Sequence, residues 1–323
     1  MKKCLVTGVA GFIGSRTAEL LLDQGSSVVG IDNCNDYYDV RLKELRLNSL
    51  KGRPNFEFYP IDIEDRDGLS GLFGCDAFDI VYNLAARAGV RYSMKNPYVY
   101  LSTNAAGVLN LLEYMRTHEV PKMVLASTSS LYAGQEMPFV ETLPVNTPIS
   151  PYAASKKAAE AMAYTYHSLY GIDVSILRYF TVYGPAGRPD MSILRFIHEI
   201  DRGGKIPLFG DGSQSRDFTY IDDIARGTIL AQKPLGYEII NLGGGNKPIT
   251  ITTLIQTIER FLGKKAKIDP HPFHSADMKT TWANIEKAKA LLNWEPTIGF
   301  EEGIEESVKW YVDNRPSLKE LNF

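Results

Sequence analysis

The 323-residue sequence lacks the features that mark several special classes of protein. No apolar run approaches the ~18 residues that a membrane-spanning helix needs, so we expect no membrane segment. The basic N-terminus leads at once into a predicted strand and a glycine loop, and we do not expect it to be a signal peptide. The chain carries 35 lysines and arginines against 38 aspartates and glutamates, with no basic cluster, which argues against a nucleic-acid partner.

Cysteine is scarce and histidine is not clustered. Cys4, Cys34 and Cys75 are widely spaced, so the sequence predicts no disulfide framework and favours a reducing, cytoplasmic location. His271 and His274 flank a Pro-Phe pair, but no cysteine, carboxylate or third histidine has a convincing ligand spacing. We therefore expect a turn there and no metal site.

Short apolar runs alternate with helix-like segments over the first 180 residues, in a chain that is 44% apolar and 23% charged. This alternation predicts an α/β fold with a parallel sheet wound on both sides. Strands are predicted at 3–7, 27–31, 56–60, 80–83, 122–126 and 174–177, and helices at 12–24, 66–73, 98–118 and 152–170. After Arg178, loops rich in glycine, proline and aspartate predict a smaller lobe interleaved with the first.

A glycine loop joins the first strand to the first helix. Gly8, Gly11 and Gly14 allow a tight turn and let backbone N–H groups approach a pyrophosphate at the helix N-terminus. Asp32 ends the second predicted strand, where a carboxylate accepts hydrogen bonds from both ribose hydroxyls and repels a 2′-phosphate. The pattern predicts NAD rather than NADP. The alternatives are a plain tight turn and a strand-end aspartate.

A tyrosine and a lysine lie on one face of a predicted helix. Ser150 and Pro151 form a typical helix start, and Tyr152 and Lys156 follow four residues apart. An ammonium beside a phenol lowers the phenol's pKa, which is ordinarily near ~10. Such a tyrosine is prepared to take a proton from a hydroxyl. The alternative is an exposed pair on an ordinary helix.

Hydroxyl side chains follow the fifth predicted strand, in the segment 126–132. Ligands bind at strand ends in open α/β sheets, and a hydroxyl there can share a substrate proton with Tyr152. By itself such a cluster is usually turn chemistry. The glycine loop, the hydroxyl cluster and Tyr-x-x-x-Lys in this order are a more specific combination.

Together these motifs resemble the extended short-chain dehydrogenases/reductases of the sugar-nucleotide epimerase branch, over nearly the whole chain. The resemblance implies a Rossmann-type doubly wound parallel sheet with a smaller, interleaved C-terminal substrate-binding lobe. It implies Thr128, Tyr152 and Lys156 as the catalytic residues and a family asparagine at Asn104. The implied NAD contacts are Gly8, Gly11, Phe12, Ile13, Gly14, Asp32, Asp62, Ile63, Leu84, Ala85, Ala86, Tyr152 and Lys156.

On this resemblance we place an NAD-binding domain at residues 1–180 plus about 219–244. The nucleotide-sugar-binding lobe then comprises about 181–218 and 245–323. The family implies a homodimer joined through the helices at about 98–118 and 152–170.

Three reactions share this catalytic machinery: epimerisation, dehydration and decarboxylation, all through a 4-keto sugar. Dehydratases of the family place Asp-Glu directly after the catalytic threonine, and decarboxylases place Glu at the second of these positions. This chain has Ser129-Ser130. Epimerisation is the better interpretation.

The substrate is indicated by the second lobe. Thr181, the segment 187–191, the segment 35–40 and the segment 89–93 resemble the UDP-glucuronate 4-epimerase group. The chain is therefore expected to interconvert UDP-glucuronate and UDP-galacturonate. This reaction would supply a precursor for polysaccharides. Arg188 is the candidate partner for the C6 carboxylate, or else a surface arginine, and Arg216 is a candidate UDP contact, or else part of an exposed hairpin. Ser129, Ser130 and Thr181 offer neutral hydrogen bonds instead.

Other functions stay open at this point: a 4-epimerase of UDP-glucose or UDP-N-acetylglucosamine, a UDP-glucuronate decarboxylase, or a catalytically silent NAD-binding scaffold. Some positions also depart from the group's pattern. Asn83 stands where histidine is usual, Arg87 where glutamine is common and Ala186 where a large aromatic is frequent, and Ala133 shifts Gly134 by one place. Because Arg87 places a positive charge near the predicted NAD-binding turn, the sequence leaves open which substrate charge the site prefers.

Overall fold

The structure is a computed structural model that describes residues 1–273, 277–318 and 321. His274, which the sequence placed in a turn, lies outside these residues. Within the described ranges, no group of three histidine, cysteine, aspartate or glutamate side chains is arranged to hold a metal ion.

Seven parallel strands form the central sheet, in the order β11-β6-β5-β4-β1-β2-β3. The strands are β1 Lys3–Thr7, β2 Ser27–Ile31, β3 Phe56–Tyr59, β4 Ile80–Asn83, β5 Lys122–Thr128, β6 Asp173–Tyr179, β7 Thr181–Tyr183, β8 Lys205–Phe209, β9 Ser215–Arg216, β10 Phe218–Tyr220, β11 Tyr237–Leu242, β12 Ile249–Thr250 and β13 Lys267–His271. The predicted α/β class and doubly wound parallel sheet are confirmed. The order of the first six strands is that of a dinucleotide-binding sheet.

The α-helices in the described part of the chain fall into two groups, those that cover the two faces of this sheet and those that pack away from it. They are α1 Phe12–Asp23, α2 Val40–Leu50, α3 Arg66–Cys75, α4 Val90–Lys95, α5 Tyr98–Leu101, α6 Gly107–Thr117, α7 Pro151–Tyr170, α8 Ser192–Arg202, α9 Ile221–Leu230, α10 Ile251–Leu262, α11 Glu286–Leu292, α12 Phe300–Asp313 and α13 Arg315–Leu318. Side chains of β1 alternate between two cores: Cys4 and Val6 pack with α1, α9 and α11, and Leu5 packs with α3, α6 and α7. This alternation is the two-residue period of a strand buried on both faces.

A third hydrophobic core lies outside the sheet, among α8, α10 and α12. Ile197, Ile206, Leu254, Ile258 and Ile304 are almost completely buried in it. Two short strand pairs, β8 with β13 and β9 with β12, belong to the same part of the chain. The chain then returns to the main sheet with β11, which pairs with β6.

The predicted start of helix α7 is confirmed. The Ser150 hydroxyl accepts a hydrogen bond from the Ala153 N–H at 3.2 Å, and Pro151 occupies the first turn. Gly171, in the left-handed conformation with φ of 72°, ends the helix. Tyr152 therefore lies in the first turn, at the sheet edge where the strands end.

Within the first 180 residues, the largest differences from the predictions concern strands β5 and β6, two additional helices and the predicted helix 98–118, while other element ends differ by one or two residues. Strand β5 continues through Thr128, because Ser127 and Thr128 pair with Arg178 and Tyr179 of β6, which is also longer than predicted. Helices α2 and α4 were not predicted. The predicted helix 98–118 contains a π-helical turn at Ser102–Ala106, between α5 and α6.

Candidate active site

A cavity of about 370 Å³ opens at the carboxyl ends of the sheet strands. It contains every predicted site residue except Arg216. These are Gly8, Gly11, Phe12, Ile13, Gly14, Asp32, Asp62, Ile63, Leu84, Ala85, Ala86, Thr128, Ser129, Ser130, Tyr152, Lys156, Thr181 and Arg188. Residues that are distant in sequence thus line one space, at the position where open α/β sheets bind ligands.

The glycine loop needs its glycines because the backbone is closely packed there. A Cβ on Gly14 would lie 2.1 Å from the Gly8 carbonyl oxygen, and one on Gly8 would lie 2.7 Å from the Ala85 nitrogen. Gly8 also has a φ of 67°. No side chain in the described structure caps the N-terminus of α1 at Gly11, so its first N–H groups stay available for an anion. This cradle fits the pyrophosphate of NAD.

Asp32 is 8% exposed and is fixed by the backbone. Its Oδ2 accepts from the Ala10 N–H at 3.1 Å, and its Oδ1 accepts from the Cys34 N–H at 2.8 Å. A carboxylate has further lone pairs for ribose hydroxyls. The Lys43 Nζ lies 3.6 Å from Oδ1, and Lys43 also lines the cavity. Sequence reasoning missed Lys43, which the unpredicted helix α2 brings here.

Lys156 is 3% exposed, and its Nζ donates to the Ala126 carbonyl oxygen at 3.0 Å. Burial lowers the pKa of this ammonium to about 8, and the Glu160 carboxylate opposes the shift. Burial also raises the pKa of Tyr152, while an interaction with the Thr128 hydroxyl and the charge of Arg188 lower it. The sequence-based expectation was that Lys156 lowers the pKa of the phenol. In this structure desolvation outweighs the neighbouring groups, and the pKa is raised.

Thr128 is the last residue of β5, and its hydroxyl accepts from the Ser130 N–H at 3.1 Å. This bond caps a single 3₁₀ turn at Ser129–Tyr132. The turn places Thr128, Ser129 and Ser130 on the cavity wall with Tyr152. The shift of Gly134 noted in the sequence falls beyond this turn and leaves the wall intact.

Asn104 connects the residue that follows the Leu84–Ala86 turn to helix α7. Its Oδ1 accepts from the Arg87 N–H at 2.8 Å, and its Nδ2 donates to the Arg87 carbonyl oxygen and to the Ser155 hydroxyl, each at 2.9 Å. Ser155 lies between Tyr152 and Lys156 on α7. The π-helical turn carries this buried asparagine, and such turns are frequent at functional sites. Asn104 therefore fixes the position of the backbone at Arg87 relative to Ser155 on helix α7.

Two departures from the family pattern have structural explanations. The Arg87 guanidinium donates to the Asn35 side chain at 2.9 Å, so Arg87 is tied to the loop after β2. The Asn83 Oδ1 accepts from the Thr7 hydroxyl at 2.7 Å, which in turn accepts from the Ala85 N–H at 3.0 Å. Asn83 thereby supports the turn that carries Leu84–Ala86.

Arg188 lies in the cavity with Thr181, so the alternative of a plain surface arginine is not supported. Its guanidinium pairs with Asp190 and lies 5.8 Å from the centre of the Tyr37 ring. Its charge reaches Tyr152, whose pKa it lowers. A cation therefore stands beside the predicted catalytic base.

Arg216 is half-buried outside the cavity lining. It donates to the Ser215 and Lys279 carbonyl oxygens at 2.8 and 3.3 Å. Burial and the charge of Arg91 lower the pKa of Arg216, and Asp277 raises it. Arg91 itself pairs with Asp277 and stacks on Phe209, with its guanidinium carbon 3.8 Å from the ring centre. Sequence reasoning assigned no charge role to Arg91, because its partners lie far along the chain.

A buried ion pair lies behind the catalytic helix. Both carboxylate oxygens of Glu160 accept from Arg178, at 2.9 and 2.8 Å, and one also accepts from the Ser127 hydroxyl at 2.7 Å. Arg178 donates further to the Tyr132 hydroxyl at 2.8 Å. Both charged side chains are 1% exposed. Glu160 lies one turn after Lys156 on α7, so this network anchors the helix that carries Tyr152 and Lys156, the predicted catalytic residues.

Comparison with known proteins gives three strong likenesses. The family model described as GDP-mannose 4,6 dehydratase matches residues 5–307. A UDP-glucuronate 4-epimerase of Thermodesulfobacterium geofontis (strain OPF15) is 60% identical over 317 residues, which cover 98% of each chain. The crystal structure of a UDP-glucuronic acid 4-epimerase from Bacillus cereus, in complex with UDP-glucuronic acid and NAD, is 38% identical with a TM-score of 0.90, and the match covers 96% of this chain and 99% of that one.

A UDP-glucose 4-epimerase from Thermotoga maritima, solved with UDP-glucose, is also similar. It is 31% identical, with a TM-score of 0.88 over 97% of this chain and 99% of that one. Sequence identity is thus lower to this UDP-glucose enzyme than to the two UDP-glucuronate enzymes. In the described part of the chain, no helix is long and apolar enough to cross a membrane.

Proposed function

The chain belongs to the GDP-mannose 4,6 dehydratase family, and from this premise we propose that it is an NAD-dependent 4-epimerase that interconverts UDP-glucuronate and UDP-galacturonate. The observation that carries the proposal is the composition of one cavity. Tyr152, Thr128 and Lys156 share it with Arg188, and the two residues after Thr128 are serines. The cavity thus holds a base for a sugar hydroxyl and a cation for a carboxylate, and the two positions directly after Thr128, where dehydratases of the family carry Asp-Glu, are serines.

Each catalytic side chain has a distinct task in this proposal. Tyr152 accepts the proton of the 4-hydroxyl and later returns a proton to the 4-keto oxygen. Thr128 assists by hydrogen bonding at the same oxygen. Burial raises the pKa of Tyr152, and in this proposal the positive charge of Lys156 opposes that rise during turnover. The glycine cradle and Asp32 would hold NAD, which would supply reversible hydride exchange at C4. Reuse of the hydride makes the reaction an isomerisation with no net consumption of cofactor.

The carboxylate at C6 needs its own partners. The 4-keto form of a uronic acid is a β-keto acid, which loses carbon dioxide readily unless the carboxylate is held in an unreactive orientation. Arg188 offers a fork of N–H donors that matches a carboxylate, and Ser129, Ser130 and Thr181 offer hydroxyl donors. Charge-assisted hydrogen bonds to the carboxylate keep its negative charge in place and so oppose decarboxylation.

Proton NMR of the purified protein with UDP-glucuronate tests this function. The expected result is a growing anomeric signal of UDP-galacturonate without UDP-xylose. UDP-xylose would instead identify a decarboxylase, and turnover of UDP-glucose alone would identify the other class of 4-epimerase. Protein that binds NAD but converts no nucleotide sugar would be a silent scaffold.

The variant Tyr152→Phe tests the role of the base. We expect it to abolish turnover and to leave NAD binding intact, because only the phenolic oxygen is lost. Tyr164→Phe is the matched control, since Tyr164 lies on the same helix and is 55% exposed. Substantial turnover by Tyr152→Phe would refute the assignment.

We further propose a homodimer and the two-part division of the chain given above. Apolar side chains are exposed along α5 and α7, among them Tyr98 at 81%, Leu101 at 60% and Leu169 at 65%. An exposed apolar patch of this kind favours a protein–protein contact. Sedimentation of wild type and of Leu101→Glu checks this: a dimer that Leu101→Glu dissociates supports the proposal, and a wild-type monomer contradicts it. A cytoplasmic location and a role in polysaccharide precursor supply complete the proposal.

A further inference from the structure

Asp190 holds Arg188 by one edge of its guanidinium group. The Arg188 Nε donates to Asp190 Oδ1 at 3.0 Å, and the Arg188 Nη2 donates to Asp190 Oδ2 at 2.5 Å. Within the residues that the structure describes, Nη1 makes no hydrogen bond. A guanidinium has five N–H donors on two usable edges, so one carboxylate does not exhaust it. The edge formed by Nη1 and Nη2 stays available for a second carboxylate.

The backbone that leads into Arg188 is fixed as well. Arg46, 3% exposed, donates to the Ala186 carbonyl oxygen from Nε and Nη2 at 3.0 and 2.8 Å, and to the Gly187 carbonyl oxygen at 2.9 Å. Ala186 has a φ of 54°, a left-handed conformation that is uncommon for a residue with a Cβ. The strained turn is thus held by a buried cation. Arg188 is restrained at its backbone by Arg46 and at its side chain by Asp190.

A free arginine side chain loses considerable rotamer freedom when it binds a ligand. An arginine that is already held loses less, and affinity rises through preorganisation. This advantage matters only for a ligand that uses the held guanidinium. A sugar with a hydroxymethyl group at C6 has no negative charge to place there, whereas a uronic acid does.

Resting on the proposed function, we propose that Asp190 is a positioning residue for substrate specificity: it orients Arg188 so that the Nη1–Nη2 edge receives the C6 carboxylate. Asp190 does not touch the substrate in this arrangement. Its effect is carried by Arg188 and is confined to substrates that bear a carboxylate at C6.

The test compares two ligands and three variants. Dissociation constants of UDP-glucuronate and UDP-glucose are measured by calorimetry in the Tyr152→Phe background, which prevents turnover. Asp190→Ala is expected to weaken UDP-glucuronate binding about tenfold and to leave UDP-glucose binding unchanged. Asp190→Asn keeps one acceptor oxygen and is expected to restore part of the loss. Asp23→Asn, at a surface pair with Arg53, is the matched control for removal of one negative charge.

Steady-state kinetics supply the second readout. With Tyr152 intact, Asp190→Ala should raise the KM for UDP-glucuronate more than it lowers kcat, because the base and the cofactor cradle are untouched. Circular dichroism verifies that the variants are folded.

Two results would overturn the inference. Tighter binding of UDP-glucuronate to Asp190→Ala would show that Asp190 competes with the substrate, and equal weakening of both ligands would show a general structural role. Wild-type turnover of UDP-glucuronate is measured first. Its absence refutes the proposed function and the inference together, whereas normal turnover with either of the two results above refutes the inference alone.

Discussion

The buried pair of Glu160 and Arg178 gives the strongest stability prediction. We consider the substitution Glu160→Gln, which keeps the shape of the side chain and removes its charge. The carboxylate accepts three hydrogen bonds, two from Arg178 and one from the Ser127 hydroxyl, at 2.7–2.9 Å. After the substitution, the Arg178 guanidinium, 1% exposed, keeps only neutral partners such as Tyr132.

The magnitude follows from the cost of an unpaired buried charge. Breaking a buried ion pair by removing one partner destabilises a protein by about 3–5 kcal/mol, because the remaining charge is desolvated without compensation. Replacement of both partners by apolar residues of similar size removes that cost and is often close to neutral. We therefore expect Glu160→Gln to lower the free energy of unfolding by about 3–5 kcal/mol, and the double variant Glu160→Met/Arg178→Met to lower it less.

Urea-induced unfolding, followed by circular dichroism, measures both variants. Glu301→Gln is the control, because the Arg260–Glu301 pair is more than half exposed and such pairs contribute little. A loss below about 1 kcal/mol in Glu160→Gln would refute the reasoning, since it would mean that Arg178 finds compensation elsewhere. A double variant less stable than the single one would refute it too.

Two further predictions concern the cofactor loop and the buried lysine. Gly14→Ala should weaken NAD binding at least about tenfold, because its Cβ would meet the Gly8 carbonyl oxygen, whereas Gly71→Ala, with open space around its Cβ, should bind NAD normally. Calorimetric titration with NAD measures both, and normal binding by Gly14→Ala would contradict the packing argument. Burial lowers the pKa of Lys156 from 10.5 to about 8, so its neutral form is favoured in the folded state. Lys156 therefore contributes a loss of stability as the pH falls from 10.5 to 8, and Lys156→Met lacks this contribution. The free energy of unfolding of Lys156→Met minus that of wild type should therefore increase by roughly 3 kcal/mol as the pH falls from 10.5 to 8. A difference that does not change with pH would exclude the lowered pKa of Lys156.

Local pattern was sufficient to predict six of the seven sheet strands, but not β11 at the sheet edge. Strands β1, β2 and β4 have the predicted bounds, because each is a short apolar run that ends at a glycine, an aspartate or an asparagine and so has few alternative structures. The carboxyl ends of parallel strands meet at one edge, so Asp32, Thr128 and the turn after β4 were expected to converge. The cavity confirms that they lie together.

The interactions that sequence reasoning missed join residues far apart in the chain. Arg46 reaches Ala186 across 140 residues, and Arg91 reaches Asp277 across 186. Nothing in the local sequence identifies such partners, since each depends on how the second lobe folds against the first. The predicted direction of the pKa shift of Tyr152 was wrong because it, too, depends on the folded structure. The direction depends on the extent of burial, and the four-residue spacing to Lys156 does not determine burial.

Arg46 has a consequence for an epimerase that reuses its cofactor. Its Nη1 donates to the Ala10 carbonyl oxygen in the glycine loop, and its other donors hold the turn at Ala186 and Gly187. One buried guanidinium therefore fixes the distance between the cofactor cradle and Arg188. In a 4-epimerase, C4 must return to the same place after the keto-sugar has presented its other face. In the proposed reaction this link would keep Arg188 at a constant position relative to the loop that would hold NAD, while the keto-sugar turns from one face to the other.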